Sequence, residues 1–515
     1  MQNALPRFEI LNNRLKVESL KNISSQNVYY FEYNQKHFLY LVHSTRCFEL
    51  TDLSLFILKQ ILPAKHLTVH LETGPFEEQD ILREYAKLKR LDTQIQADLI
   101  TDENDLSRHK EFRGRSDHLP QFMEWQRNTK REHYVYLTRR CNLACSYCWN
   151  SAGRLNEAAP PEPTVEIIEK TVDFILDNAG EQEETRVIFY GGEPLLNIPR
   201  LRHFVEVARK KSQEKSFRFH YLVDTNGTIW NREIEALAQQ YDIHFMVSID
   251  GDSKTHDSHR YFQDGTPSHH IVRVNIGRML SALPGKVGAR AVLGKSHYSL
   301  SDTYDYLRTF GFAELQVFYN LFSSLGDDGH DPLEEFETIQ DFKTELSNEI
   351  HVLLEKIHRN TIPQIDILLL GEMKSRLEEK RQFVKCFIGA SQLVFQTDGK
   401  IYPCVYLFDN QHCIGDVFSG ITRWDILQDF CKSSVYSQKK CLTCWARFSC
   451  GGCCIGQSLA CLGTQDSPIP LQCERTKEEI RAVLYLISEI SRSDIKIFDE
   501  LLKTFSRTTF PRAHG

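Results

Sequence analysis

Tyr134-Val-Tyr-Leu-Thr138-Arg-Arg-Cys141-Asn-Leu-Ala-Cys145-Ser-Tyr-Cys148 joins a strand pattern to three closely spaced cysteines. The first five residues are aromatic, β-branched or apolar, as in a buried strand. The cysteines follow directly at a CxxxCxxC spacing. Three thiolates packed into so short a loop can hold three irons of a [4Fe–4S] cube and leave the fourth open to another ligand. Zinc is the competing occupant, but a structural zinc site takes four ligands, commonly as CxxC pairs.

The other cysteines point the same way. The chain has 15, of which only Cys47 precedes Cys141 and eleven lie between 386 and 473. The N-terminus, Met1-Gln-Asn-Ala-Leu-Pro-Arg7, lacks the basic-then-apolar pattern of a secretory signal. No apolar run approaches the roughly 18 residues that cross a membrane. A cytoplasmic protein with no membrane partner is therefore expected, and its clustered cysteines read as metal ligands rather than disulfides. Clusters of this type are oxygen-sensitive, so the chemistry is expected to be anaerobic. A net charge of −7 argues against a nucleic-acid partner.

Downstream of the cysteine loop, strand and helix patterns alternate over residues 132–325. Strands are predicted at 133–138, 186–190, 220–224, 243–249, 288–293 and 315–320. Between the first two, Val165, Ile168, Val172 and Leu176 recur at helical spacing. Regular βα repetition predicts an α/β fold with a parallel sheet and helices outside. In such barrels the chemistry sits at the C-terminal strand ends.

Those ends carry motifs. The second strand runs into Gly191-Gly192-Glu193-Pro194, where glycines allow close backbone approach and a carboxylate can accept from an ammonium group. The third ends Asp224-Thr225-Asn226-Gly227. The fourth ends Ser248-Ile-Asp250-Gly251, followed by His256-Asp257-Ser-His-Arg260, whose guanidinium suits a carboxylate. Arg290 on the next strand is a second cation for that role, and the sequence leaves the choice open.

Together these segments resemble the radical S-adenosylmethionine (radical SAM) enzymes. The resemblance implies an open, partial (β/α)6 TIM-like barrel. It implies that Cys141, Cys145 and Cys148 hold a [4Fe–4S] cluster whose open iron chelates S-adenosylmethionine and cleaves it reductively to a 5′-deoxyadenosyl radical. Tyr147 fits the family's aromatic before the last cysteine. Gly191 to Pro194 are implied to meet the methionine amino group. Thr225, Asn226, Ser248 and Asp250 are implied at the ribose or carboxylate, and Arg260 or Arg290 at the carboxylate. A flavodoxin- or ferredoxin-type reductant is the implied electron donor.

The C-terminal cysteines, Cys386, Cys404 in Gly399-Lys-Ile-Tyr-Pro-Cys404, then Cys441, Cys444, Cys450, Cys454 and Cys473, resemble the SPASM pattern of a subset of that family. It implies two auxiliary [4Fe–4S] clusters, three in all. Cys441, Cys444, Cys450 and Cys473 would ligate one fully. Cys386, Cys404 and Cys454 would give the other three ligands. Its fourth is either an open position for a substrate thiolate or one of Cys413, Cys453 and Cys461. In sulfatase-maturating relatives an aspartate follows the cysteine matching Cys404 and serves as a base, whereas here Val405 follows and cannot take a proton.

The expected organisation has further parts. Residues 1–100 carry strand runs 28–33, 38–42 and 47–50. A helix capped by Thr51 or Asp52 then runs to Leu62 with Leu55 and Leu58 on one face, and another spans Phe76 to Leu88. These resemble a small winged-helix module that binds leader peptides. Residues 101–131 read as a charged linker, 326–385 as a helical bridge, 386–480 as the SPASM domain and 481–515 as a C-terminal helix and tail. The implied activity is a thioether or carbon–carbon crosslink in a ribosomally made precursor peptide. The competing readings are a sulfatase-maturating enzyme that forms formylglycine, and a noncatalytic iron–sulfur carrier or peptide scaffold.

Overall fold

Aromatic and aliphatic runs near the N-terminus form an antiparallel sheet of β1 (Val28–Tyr33), β2 (Lys36–Leu41) and β3 (Cys47–Leu50). The computed structural model describes residues 28–61, 79–80, 83–84, 86–91, 93–96, 132–148, 160–180, 183–293, 300–319, 339–359, 381–386, 388–390, 392–430 and 432–493. Asn34 and Gln35 turn the first hairpin with φ of 48° and 62°, a conformation whose twist matches that of paired strands. The Thr51 hydroxyl accepts from the Ser54 N–H at 3.1 Å and caps α1 (Asp52–Ile61). Leu55 and Leu58 are buried. The expected end of this helix at Leu62 and the start of the next at Phe76 lie outside the described residues. All described residues between 79 and 96 are helical, so helical backbone extends beyond Leu88.

The central sheet contains the predicted repeat. β4 (Glu132–Thr138), β5 (Glu184–Gly191), β6 (Arg218–Thr225), β7 (Ile243–Ser248), β8 (Val287–Leu293) and β9 (Leu315–Tyr319) lie side by side in chain order, all parallel. Helices return the chain: α2 (Val165–Asp177), α3 (Ile198–Lys215), α4 (Arg232–Tyr241), then α5 (Ser253–His259) and α6 (His269–Ala282), and α7 (Leu300–Arg308). Thr164 caps α2 by accepting from the Ile167 N–H at 3.2 Å. Ile168, Val172 and Leu176 are buried, but Val165 is 42% exposed. The expected stripe therefore starts with Ile167 and Ile168, because Val165 sits in the first turn, on the solvent side. Strand residues such as Val187, Phe189, Val223 and Val247 pack in the main core. Ile188, Leu222 and Met246 form a separate cluster with Tyr134. Both faces of the sheet are thus apolar, as in buried parallel sheets.

The cysteine-rich region is continuous with this sheet rather than a detached unit. α8 (Ile339–His358) leads toward it, and β10 (Gln392–Phe395) pairs in parallel with the free side of β4. β11 (Lys400–Tyr402), β12 (Gly415–Asp416) and β13 (Gly420–Ile421) extend it antiparallel to ten strands. Leu393, Val394 and Phe395 are buried, so a strand with two apolar faces covers an edge that would otherwise stay open. Beyond lie α9 (Ile455–Leu462) and α10 (Pro470–Ser493), which begins before the boundary expected at 481.

The N-terminal sheet is fastened to this end of the molecule. Tyr29 stacks on Trp445 with ring centroids 4.2 Å apart. The Arg481 guanidinium lies 5.3 Å and 5.4 Å from those two rings. The expected linker at 101–131 lies outside the described residues. Among the described residues no helix is long and apolar enough to cross a membrane.

Candidate active site

Each motif-bearing loop leaves the C-terminal end of a strand, so the sheet gathers them on one rim. Gly191 and Gly192 sit against the start of the cysteine loop. The Gly192 N–H donates to Thr138 O at 3.0 Å and the Glu193 N–H to Arg140 O at 2.8 Å. A Cβ on Gly192 would stand 2.0 Å from Arg140 O, and one on Gly191, at φ +125°, 2.4 Å from Thr138 O. These glycines bring two protein loops together. Pro194, which is buried, opens a short 3-10 turn.

Glu193 is fully buried and faces inward. Its carboxylate accepts from the Leu195 N–H at 3.0 Å, the Thr225 hydroxyl at 2.8 Å and the Asn226 N–H at 2.7 Å. Burial pushes its pKa up to about 7, and these donors act against the rise. Glu193 therefore ties the second strand end to the third. The Asn226 side chain donates to Asn142 Oδ1 at 2.9 Å and lies 3.7 Å from Cys141 Sγ.

The fourth strand end is a buried charge network. Asp250 Oδ2 accepts from Arg260 Nε at 2.8 Å and from the Tyr147 hydroxyl, and Oδ1 from the Val292 N–H at 2.9 Å. Burial alone would raise the Asp250 carboxyl, but the Arg260 charge and the hydrogen bonds from Arg260 and Tyr147 outweigh it and hold it below the usual range. Arg260 also lies 5.2 Å over the Tyr147 ring and is an electrostatic neighbour of Cys145. Ser248 closes β7, half-buried. His256 receives the Asp250 N–H at 3.4 Å and meets Ser268 at 3.0 Å. Burial lowers its pKa to about 4, so the ring is neutral.

The chain on either side of Arg260 also holds the cysteine loop. The Ala144 N–H donates to Tyr261 O at 2.8 Å and the Ser146 N–H to His259 O at 3.0 Å. Gln263 Nε2 donates to Cys141 O at 2.6 Å. Asn142, His259 and Gln263 were not legible as site residues. Nor were Tyr136 and Tyr190, neighbours of Cys148 whose rings lie 5.6 Å apart.

Cys141, Cys145 and Cys148 are free thiols and mutual electrostatic neighbours. Burial pushes Cys145 up to about 12, so its proton must leave when a metal binds. The Leu143 N–H lies 3.4 Å from Cys141 Sγ, a donor to a thiolate. Among the described residues no three His, Cys, Asp or Glu side chains converge on a single-ion site. An iron–sulfur cube needs no such convergence, because each thiolate binds a different iron. Soft donors, backbone and amide N–H groups beside sulfur and a nearby cation thus fit a cluster of this type.

Two further cysteine groups form. Cys441, Cys444, Cys450 and Cys473 are mutual neighbours, and Cys386, Cys404 and Cys454 form the other. Gly456 makes room for the second, since a Cβ there would meet Cys404 Sγ at 2.6 Å. Of the candidates for a fourth ligand, Cys453 lies between the two groups, a neighbour of Cys386 and Cys454 and also of Cys441, Cys450 and Cys473, with Gln438 Nε2 2.7 Å from its sulfur. Cys413 is elsewhere: its thiol donates to Gly415 O at 3.4 Å and it neighbours Tyr402 and Arg423. Cys461 sits on α9.

Residues 135–288 match the radical SAM superfamily. The chain therefore carries a radical SAM domain, and that domain implies an enzyme that uses S-adenosylmethionine and a [4Fe–4S] cluster. The chain is similar to a cysteine-type anaerobic sulfatase-maturating enzyme of Clostridium novyi, 23% identical, over 61% of this chain and 84% of that one. It is also similar to the radical SAM cyclopropyl synthase TigE of Paramaledivibacter caminithermalis, 21% identical, over 62% of this chain and 67% of that one. Its fold resembles that of anSMEcpe solved with bound AdoMet and Cp18Cys peptide, with a TM-score of 0.57 and 17% identity, over 73% of this chain and 99% of that one.

Proposed function

We propose that this enzyme crosslinks a ribosomally made peptide, joining a peptide carbon to a cysteine sulfur or to another side chain. The observation that carries this reading is the chemistry around Cys404. Among the electrostatic and hydrogen-bonding neighbours of Cys404 and Tyr406 are thiols, Tyr190, Gln392, Gln457 and backbone N–H groups. Val405 occupies the position after Cys404, so the base that formylglycine formation needs is missing there.

Cys141, Cys145 and Cys148 would hold the cluster that binds S-adenosylmethionine, with Tyr147, Glu193, Thr225, Asn226, Ser248, Asp250 and Arg260 shaping the cofactor site. Cys441, Cys444, Cys450 and Cys473 would hold one auxiliary cluster, and Cys386, Cys404 and Cys454 the other. When bound, these groups supply the electron that cleaves S-adenosylmethionine to a 5′-deoxyadenosyl radical and take up the electron released as the new bond forms. In a thioether-forming turnover one C–H hydrogen leaves to the radical, the cysteine thiol gives up its proton, and one electron departs as the C–S bond closes. The chain's own residues fix geometry and exclude water. The N-terminal module is read as the leader-peptide site.

The test is turnover of anaerobically reconstituted enzyme with dithionite, S-adenosylmethionine and a random-sequence mRNA-displayed peptide library. The expected products are 5′-deoxyadenosine and peptides lacking two hydrogens that resist fragmentation between the joined residues. A second reading, sulfatase maturation, is favoured by the similarity to the Clostridium novyi enzyme. Formylglycine on a sulfatase peptide, with no crosslinked product, would select it.

A further inference from the structure

We infer that Asp224 and Arg290 form a clamp for a backbone amide of the substrate peptide, separate from the residues that shape the cofactor site. Arg290 Nη1 donates to Asp224 Oδ2 at 2.5 Å, and Nε and Nη2 donate to Gln316 Oε1 at 3.3 Å and 3.1 Å. Its guanidinium lies 5.5 Å from the Phe318 ring. A guanidinium has five N–H donors. Among the described residues three are used, which leaves one on each terminal nitrogen.

The pair sits on the inner face of the sheet. Asp224 and Leu222 share one side of β6, and Arg290 pairs with Ser248 across β7 and β8. Its open side is toward space: the Arg290 side chain is 26% exposed against 10% for Asp224, and Phe318 is 38% exposed. Tyr190 joins the two regions, being a neighbour of both Cys148 and the Asp224–Arg290 pair. A cofactor carboxylate needs one cation, and Arg260 is the arginine beside Cys145. Arg290 instead meets Asp224, Gln316, Phe318, Tyr134 and Tyr190.

An ion pair already balanced in charge gains little from an acidic ligand. It suits a neutral group that offers one acceptor to the guanidinium and one donor to the carboxylate. A peptide amide does both, which fixes the peptide's direction as well as its position. The clamp specifies backbone rather than sequence, and leaves side-chain choice to other walls.

This inference rests on the peptide-substrate reading, and the two fail differently. Holoenzyme is compared with Arg290→Gln, Arg290→Lys and the paired Asp224→Asn/Arg290→Gln variant, which leaves no buried charge unpaired. The probe is a peptide recovered from the mRNA-displayed library by its modification. Losing a hydrogen bond to a charged group predicts a peptide KM raised about 10- to 100-fold in Arg290→Gln and in the paired variant, with Arg290→Lys between. The S-adenosylmethionine Kd is expected to stay within about twofold. An unchanged peptide KM in the paired variant overturns the clamp, as does a weakened S-adenosylmethionine Kd with peptide KM intact. If the wild type modifies no peptide at all, the peptide reading fails and the clamp with it.

Discussion

Glu193 accepts the Asn226 backbone N–H at 2.7 Å, so two motifs 33 residues apart in the chain are one hydrogen-bonded unit at the rim of the sheet. Three donors depend on that carboxylate, and each left unmade in a buried site costs roughly 1–3 kcal/mol. Glu193→Ala is expected to destabilise the protein by about 3 kcal/mol and to weaken S-adenosylmethionine binding at least tenfold. Denaturant titration and cofactor titration check the two effects. Unchanged cofactor affinity would show that the turn does not shape the site.

The same residue makes stability depend on pH. Burial raises the Glu193 pKa from 4.5 to about 7 in the folded protein. A carboxyl raised on folding contributes most below its unfolded pKa, and the contribution is lost as pH rises through the folded one. The Tm difference between wild type and Glu193→Gln is therefore expected to shift against the wild type between about pH 5 and about pH 8. A difference that stays flat across that interval would contradict the assignment.

Arg260 and Asp250 form an ion pair with side chains only 9% and 1% exposed. Removing one partner from such a pair costs about 3–5 kcal/mol, because the other is left charged and buried. Arg260→Met is expected to show that loss, and the paired Asp250→Asn/Arg260→Met variant to recover a good part of it. Equal losses in the two would mean that Arg260 stabilises through packing on Tyr147 instead.

Gly192→Ala would force a methyl group to within 2.0 Å of the Arg140 carbonyl oxygen and push the cysteine loop off the second strand end. Iron content is expected to fall by about four per chain. Gly277, in mid-helix with nothing within 4 Å of an added Cβ, is the control. Gly277→Ala is expected to leave iron content unchanged and to add about 0.5–1 kcal/mol of stability.

Much of this architecture was legible because it is local. The strand predicted at 243–249 forms at Ile243–Ser248, and the Gly191–Pro194 and Thr225–Gly227 segments follow strands as their patterns imply. Partners distant in the chain left no such signal. The pairing of β10 with β4 joins Val394 to Tyr134, and nothing periodic relates those positions. The Tyr261 and Gln263 contacts with the cysteine loop depend on where α5 ends. The Thr225 and Asn226 donors that orient Glu193 lie more than 30 residues away, and nothing periodic relates those positions either. Arg260 and Arg290 are alike as cations in the sequence, and only the fold separates their surroundings, with Cys145 beside one and Asp224 beside the other.

The central claim is that three separate cysteine groups each carry a cluster. Iron and sulfide per chain, measured after anaerobic purification of the wild type and the Cys141/Cys145/Cys148→Ala variant, test it directly. The expected result is about 12 irons falling to about 8. About 4 irons in the wild type, all lost in the variant, or zinc in the C-terminal cysteines, would contradict the auxiliary clusters and leave only the radical domain standing.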